Sequence, residues 1–206
     1  MVRQTTKEKI INTSVRLFEI YGYSKVTVDQ IVKESGTSKG GFYHHFKSKD
    51  ELLYTIHDFC ISLCLEKGQE ACQNYSSPTE RLCEIVQSFI LLFDSYRPHL
   101  TVINEESLYL SSEYFKEIEE KRDCYKDLLY QVVEDGVKTG EFRQDLVIPI
   151  IRMAIFGMVN WIYKWYKEKG NYSLEEIADI YNDFILHSIL SEENRVKYES
   201  NKLLSS

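Results

Sequence analysis

Three observations predict an all-α fold. Helix-start signals recur along the chain, apolar residues return every three or four positions between them, and no alternating segment is bounded by hairpin turns. The start signal is a Ser or Thr with Glu or Gln three residues later, a pair that satisfies two otherwise orphan backbone donors. Thr5 with Glu8, Thr27 with Gln30, Ser48 with Glu51, Ser77 with Glu80 and Ser173 with Glu176 all fit. Pro78 suits the first helical position after Ser77. Only 9 Gly and 3 Pro, beside 15 Tyr and 10 Phe in 206 residues, favour long helices over loops.

The first helix is expected over about 6–21, with Ile10, Ser14, Leu17, Phe18 and Tyr21 on one side and Gly22 ending it. A second, about 28–35, turns Val28, Ile31 and Val32 inward and stops at Gly36. A third starts near Ser38 and runs to about His45. Phe42 and Phe46, four residues apart, must both face the first two helices. The second and third helices, joined by a Gly-containing turn, make a helix-turn-helix. Further helices are expected over about 49–74, 79–95, 98–109, 112–138, 146–168 and 174–190, with Gly140 as a left-handed cap.

The third helix carries a puzzle in its sequence, TSKGGFYHHFKSKDELL. Gly40 and Gly41 each cost about 1 kcal/mol relative to Ala inside a helix. On a helical wheel they and His44 lie opposite the two phenylalanines, with Lys39, Tyr43 and His45 beside them. Glycines on an outer arc let a backbone approach another surface closely. The surface that suits neighbouring Lys, Tyr and His is a DNA groove, with Lys47 and Lys49 beyond the helix end suited to phosphates.

The charge distribution agrees. Residues 1–50 hold nine Lys/Arg and five Asp/Glu, a net of +4, within a chain of formal net charge -7, so the remainder carries -11. A basic head on an acidic body suggests that the head alone meets a polyanion. The start, MVRQTTKEKI, shows no apolar run after its charges. The most apolar stretch, residues 146–163, carries Arg152 and Asn160 and reads as a buried helix. A cytoplasmic protein without a membrane association is therefore expected. Five cysteines with no CxxC pair point to reduced thiols. His57, Cys60 and Cys64 share one helical face and offer an alternative, a thiol or metal sensor. A protein-interaction module is a further alternative. No HExxH zinc signature or P-loop is present, and neither an enzyme nor a cofactor is expected.

The pattern TVDQIVKESGTSKGGFYHHFKSKDELL, preceded by FEIYGYSKV, resembles the N-terminal DNA-binding domain of tetracycline-repressor-type (TetR) regulators. That resemblance spans residues 6–53. It implies a helix-turn-helix domain over residues 1–50 and a helical effector-binding and dimerisation domain over 51–206. It also implies a ligand-responsive transcriptional regulator, a homodimeric repressor released from a palindromic double-stranded operator by a small hydrophobic effector. By the same likeness Lys39, Gly40, Gly41 and His44 lie near base edges, Thr27, Tyr43, His45, Lys47 and Lys49 hold phosphates, and Ser38 counts among the DNA-binding residues. Asp29 stands where some relatives carry a base-reading cation.

The apolar stretch 146–168 has no polar face and must be covered on both sides. Paired with the helix at 174–190 and their symmetry mates, it makes a four-helix dimer interface. Ala154, Gly157, Trp161, Trp165, Ile177, Tyr181 and Phe184 are its expected residues. The segment MVNWIYKWYKEKGNYSLEEIADIYNDFIL also resembles a subset of the family that answers to acyl-CoA thioesters. An effector cavity should be apolar with few polar anchors. Phe89, Phe93, Tyr96, Tyr109, Tyr125, Tyr130, Phe156 and Trp161 are candidate walls, with Arg97, His99, Arg122 and Asn160 as anchors. Arg81, Arg97, Lys121, Arg122 and Lys126 are candidates to meet a nucleotide-like phosphate at the rim.

Overall fold

The computed structural model describes residues 4–205, with side chains through residue 200. Residues 1–3 and 206, the outer ends of the two expected domains, lie outside the described residues. Helix α1 (Thr6–Tyr21) begins at a complete capping box: the Thr5 hydroxyl accepts from the Glu8 amide, and the Glu8 carboxylate accepts from the Thr5 amide. Helices α2 (Val28–Ser35) and α3 (Lys39–His45) start at Thr27 and Ser38, each hydroxyl accepting from the amide three residues on. Gly36 stops α2 at φ 64°, a left-handed conformation that costs little without a Cβ. Helix α4 (Lys49–Asn74) follows, with Ser48 accepting from Glu51 N.

Helix α5 (Pro78–Glu106) is two helical segments that meet at a non-helical residue, Tyr96, where the division between the helices expected over 79–95 and 98–109 falls. The backbone kinks at Tyr96 (φ -125°, ψ 16°) and continues through Pro98. Pro98 lies in the first turn of the second segment, where its missing amide is not needed and its fixed φ is already helical. Helix α6 (Ser112–Thr139) ends at Gly140, whose φ is 77°. The expected helix over 146–168 is revised, into α7 (Ile148–Asn160) and α8 (Ile162–Trp165). Near the break the Asn160 amide donates to the Phe156 carbonyl at 2.9 Å, a side-chain bond that competes with the backbone ladder. Helix α9 (Leu174–Ile189) opens on the Ser173–Glu176 capping box, and α10 (Glu192–Ser205) was not foreseen.

The chain divides into two compact units, residues 1–63 with 96–122, and residues 64–95 with 123–206. In the first, Ile10, Phe18, Ile31, Phe42, Phe46, Leu53 and Ile56 pack into one core with Val102, Leu110 and Ile118. Each such side chain contributes about 1.5–3 kcal/mol by leaving water. Ser14 is buried with them and donates to the Ile10 carbonyl at 2.7 Å. Tyr21, expected inward, is exposed, because the chain turns at Gly22 and Tyr23 takes the inner place 5.2 Å from the Phe18 ring.

In the second unit, Glu141 accepts from Ser77 Oγ, Thr79 N and Thr79 Oγ1 at 2.7, 3.0 and 2.6 Å, and so caps α5 from a distant segment. Phe142 fills the space beside Gly136, where an added Cβ would lie 2.1 Å from the ring. That close approach requires glycine.

Candidate functional site

Helix α3 is held by its inner edge and free on its outer one. Phe42 and Phe46 are buried, with ring centroids 5.7 Å apart, while Lys39, Gly40, Tyr43, His44 and Lys47 are exposed. His45 is half-buried with its ring 4.9 Å from that of His44. The two glycines differ. Gly41 donates its amide to Ser38 Oγ at 3.0 Å, and a Cβ there would press to 3.3 Å from the same oxygen. A Cβ on Gly40 would meet only Ser38 Oγ at 3.9 Å, so nothing inside the protein demands a glycine there.

Gly40→Ala is therefore expected to stabilise the folded protein by up to about 1 kcal/mol. The same methyl group should weaken DNA binding about tenfold by obstructing groove approach. Thermal melting and fluorescence anisotropy on one preparation check the two opposite signs.

Thr27 is exposed, and its oxygen accepts from Gln30 N, a role that does not use its own O–H donor. Lys39 Nζ lies 2.7 Å from Asp29 Oδ1, so the acidic residue on α2 holds the first cation of α3 in place. Lys49 departs from expectation. Its ammonium donates to the Tyr23 and Val26 carbonyls at 2.9 and 2.8 Å and lies 4.1 Å from the Tyr23 ring centroid. Burial lowers its pKa. It braces the turn before α2 instead of facing outward with Lys47. The string GTSKG has the spacing of a hydrolase nucleophile turn, but Ser38 here is a helix cap.

A cavity with about 240 Å³ of empty space, open solvent included, lies in the second unit among α5, α6 and α7. Four expected residues line it: Phe89, Tyr125, Phe156 and Asn160. Ile85, Val86, Leu129, Ile155 and Val159 complete the wall. Helical spacing marks these five as inward-facing, but it does not separate an aliphatic residue of the core from one at a cavity wall. Tyr125 faces Phe89 at 6.3 Å and Phe156 at 6.4 Å between centroids, and burial raises its pKa well above normal. Phe93 is buried behind Phe89, 6.0 Å away, and is absent from the wall. Tyr96 belongs to the first unit, against Phe59 and His99. Trp161 is 59% exposed and does not line the cavity. Tyr109 pairs with Tyr23 at 5.4 Å, and Tyr130 lies under Arg152 at 5.8 Å.

Most rim cations are already paired: Arg81 with Asp135, Lys121 with Asp58, Arg122 with Glu119 and Lys126 with Asp123. His57, Cys60 and Cys64 are buried, and burial pushes the Cys64 thiol up to about 12. A protonated thiol is a poor ligand. Among the described residues no group of three His, Cys, Asp or Glu is placed to hold a metal ion.

On the faces of α7, α8 and α9, Met153, Ala154, Gly157, Trp161, Trp165 and Phe184 are exposed, Phe184 at 65%. Tyr181 is half-buried beside Trp165. Ile177 is not on this face; at 4% exposure it belongs to the unit's own core. Among the described residues no helix is long and apolar enough to cross a membrane.

A helix-turn-helix with an exposed outer edge in one unit and an apolar cavity in the other define a ligand-responsive DNA-binding protein, and comparison with known proteins agrees. Residues 10–55 match the family described as bacterial regulatory proteins, tetR family, and residues 75–189 match the tetracyclin repressor-like C-terminal domain. The chain belongs to the TetR family of transcriptional regulators. It is 23% identical over 185 residues to the HTH-type transcriptional repressor KstR2 of Mycolicibacterium smegmatis, covering 89% of this chain and 90% of that one. The fatty acid metabolism regulator protein of Bacillus subtilis is 23% identical over 184 residues, covering 88% and 94%. A solved structure of AibR in complex with isovaleryl coenzyme A and operator DNA superposes with a TM-score of 0.79 at 28% identity, covering 87% of this chain and 97% of that one.

Proposed function

We propose that this regulator is a homodimeric repressor that leaves a palindromic operator when a small acyl-type effector occupies the cavity. The observation that carries the reading is the cavity wall, apolar except for Asn160 and the Tyr125 hydroxyl. A mostly apolar wall with a few polar anchors is the usual lining of a small-molecule site. That lining suits the apolar chain of an acyl group. The AibR complex supports the same ligand class. The helix-turn-helix over residues 1–50 serves as the DNA-binding part, and residues 51–206 bind effector and partner.

Coupling follows from α5. Its first half contributes Ile85, Val86 and Phe89 to the cavity wall, and its last residue, Glu106, accepts the Tyr23 amide at 3.2 Å. An effector that favours one setting of the Tyr96 kink by about 1–3 kcal/mol shifts the spacing of the two heads. Selection of bound sequences from a random duplex pool should yield a palindrome with half-sites about 34–36 Å apart. Isovaleryl-CoA or decanoyl-CoA should then release it in an anisotropy titration. Enrichment of no palindrome, or indifference to both thioesters, would refute the reading.

A further inference from the structure

We propose that Asp29 and Lys39 together read a G·C base pair in each operator half-site, an inference that rests on the operator binding described above. Lys39 is the first residue of α3, and Asp29 lies in the first turn of α2. The two therefore come from the starts of the two helices of the helix-turn-helix, and both belong to the first compact unit. Lys39 Nζ and Asp29 Oδ1 are 2.7 Å apart, yet the side chains stay 64% and 69% exposed. In a helix-turn-helix the second helix enters the major groove with its N-terminal residues against base edges. The Lys39 ammonium thus starts from the place where bases are read, with a carboxylate held against it.

Stability does not explain the pair. An ion pair as exposed as this one contributes little to folding. A carboxylate in the first turn of α2 suits the helix dipole, but that role requires no contact with α3. Near DNA the same carboxylate repels phosphates, within a head that is otherwise basic. Gly40, directly after Lys39, has only Ser38 Oγ within 4 Å of a built Cβ, at 3.9 Å, so the backbone beside the pair is free to approach a groove closely.

The chemistry of the pair matches one base-pair edge. An ammonium has three N–H donors, of which Asp29 takes one, and a carboxylate accepts at both oxygens. The hydrogen bond to Asp29, and then its charge, raise the Lys39 pKa, so the ammonium keeps its donors. In the major groove a G·C pair shows guanine N7 and O6 as acceptors beside the cytosine N4 donor. O6 and N4 are hydrogen-bonded to each other and so lie about 2.9 Å apart. A donor and an acceptor 2.7 Å apart on the protein fit that edge: Lys39 donates to O6 and N7, and Asp29 accepts from N4. With thymine in place of guanine, a methyl group stands where N7 was, and adenine N7 adds an acceptor on the carboxylate side. With the purine on the other side of either pair, the central donor and acceptor are exchanged and oppose the protein groups.

Selection from a random duplex pool, run in parallel for the full-length wild type, Asp29→Ala, Asp29→Asn and Lys39→Met, tests the pairing. Anisotropy then compares each recovered site with all its single base-pair changes, and melting curves confirm that the variants are folded. The wild type should recover a G·C pair at one fixed position of each half-site and bind about tenfold less tightly when any other pair replaces it. Asp29→Ala and Lys39→Met should each erase the preference at that position and leave preferences elsewhere unchanged. Asp29→Asn, which keeps an acceptor oxygen, should retain part of it. If Asp29→Ala binds every duplex more tightly and still selects the same G·C pair, Asp29 acts through its charge alone and the inference is overturned. It is overturned equally if no position requires G·C, or if the requirement survives Lys39→Met. A palindrome whose G·C positions ignore both substitutions leaves the operator reading standing and removes the base-reading pair. A single asymmetric site whose G·C pair depends on both residues does the reverse.

Discussion

Replacing Gly157 with arginine is expected to turn a dimer into a monomer and to weaken operator binding at least a hundredfold. Within one chain the substitution is well tolerated. Gly157 is exposed, nothing lies within 4 Å of a Cβ built on it, and arginine is the better helix former. In the proposed dimer the same side chain would meet its own copy across a twofold axis, among Trp161, Trp165 and Phe184, which are exposed in the single chain. Two unpaired guanidinium groups brought into an apolar interface cost several kcal/mol, more than the contacts around them return. A lone head loses the second half-site and with it most of the affinity. Sedimentation velocity and an anisotropy titration read the two effects. An intact dimer at micromolar concentration would place the interface elsewhere.

Acid should destabilise the protein through His57, before most carboxylates titrate. Burial, and then the Arg122 charge, lower the imidazole pKa from 6.5 to about 3. The folded protein therefore holds this ring neutral where the unfolded chain protonates it. With the unfolded state binding more protons, stability falls as pH falls. The contribution is complete above pH 6.5 and is lost progressively toward pH 3. From pH 8 to pH 5 this amounts to about 2 kcal/mol, and over the whole range to roughly 3–5 kcal/mol. His99, lowered by burial, adds in the same direction. Denaturant melts of the wild type and His57→Phe at pH 8 and pH 5 isolate the effect. The variant should lose the extra drop, and identical slopes would show that His57 is solvated in the folded state.

Where a feature is local, it was readable in the amino-acid order. Caps at Thr5, Thr27, Ser48, Ser77 and Ser173 involve residues three apart, and each hydroxyl accepts the amide that the spacing implied. The outward face of α3 was likewise readable, because Phe42 and Phe46 are on one turn-to-turn stripe and Gly40 lies opposite. The cavity was half readable: four of its walls were expected, and the aliphatic remainder was not.

The sequence by itself determined that this chain is helical, where most helices begin, and that its head carries a helix-turn-helix whose second helix turns Gly40 and His44 outward. Those properties depend on hydrogen bonds and helical faces within a few residues of one another. Only the tertiary structure decided that Lys49 braces the Tyr23 turn, that Ile177 goes into the core while Phe184 does not, and that the apolar helix breaks at Trp161. In each case the outcome depends on a neighbour distant in the chain or on which side of an all-apolar helix is covered. Periodicity identifies an apolar face without identifying what covers it.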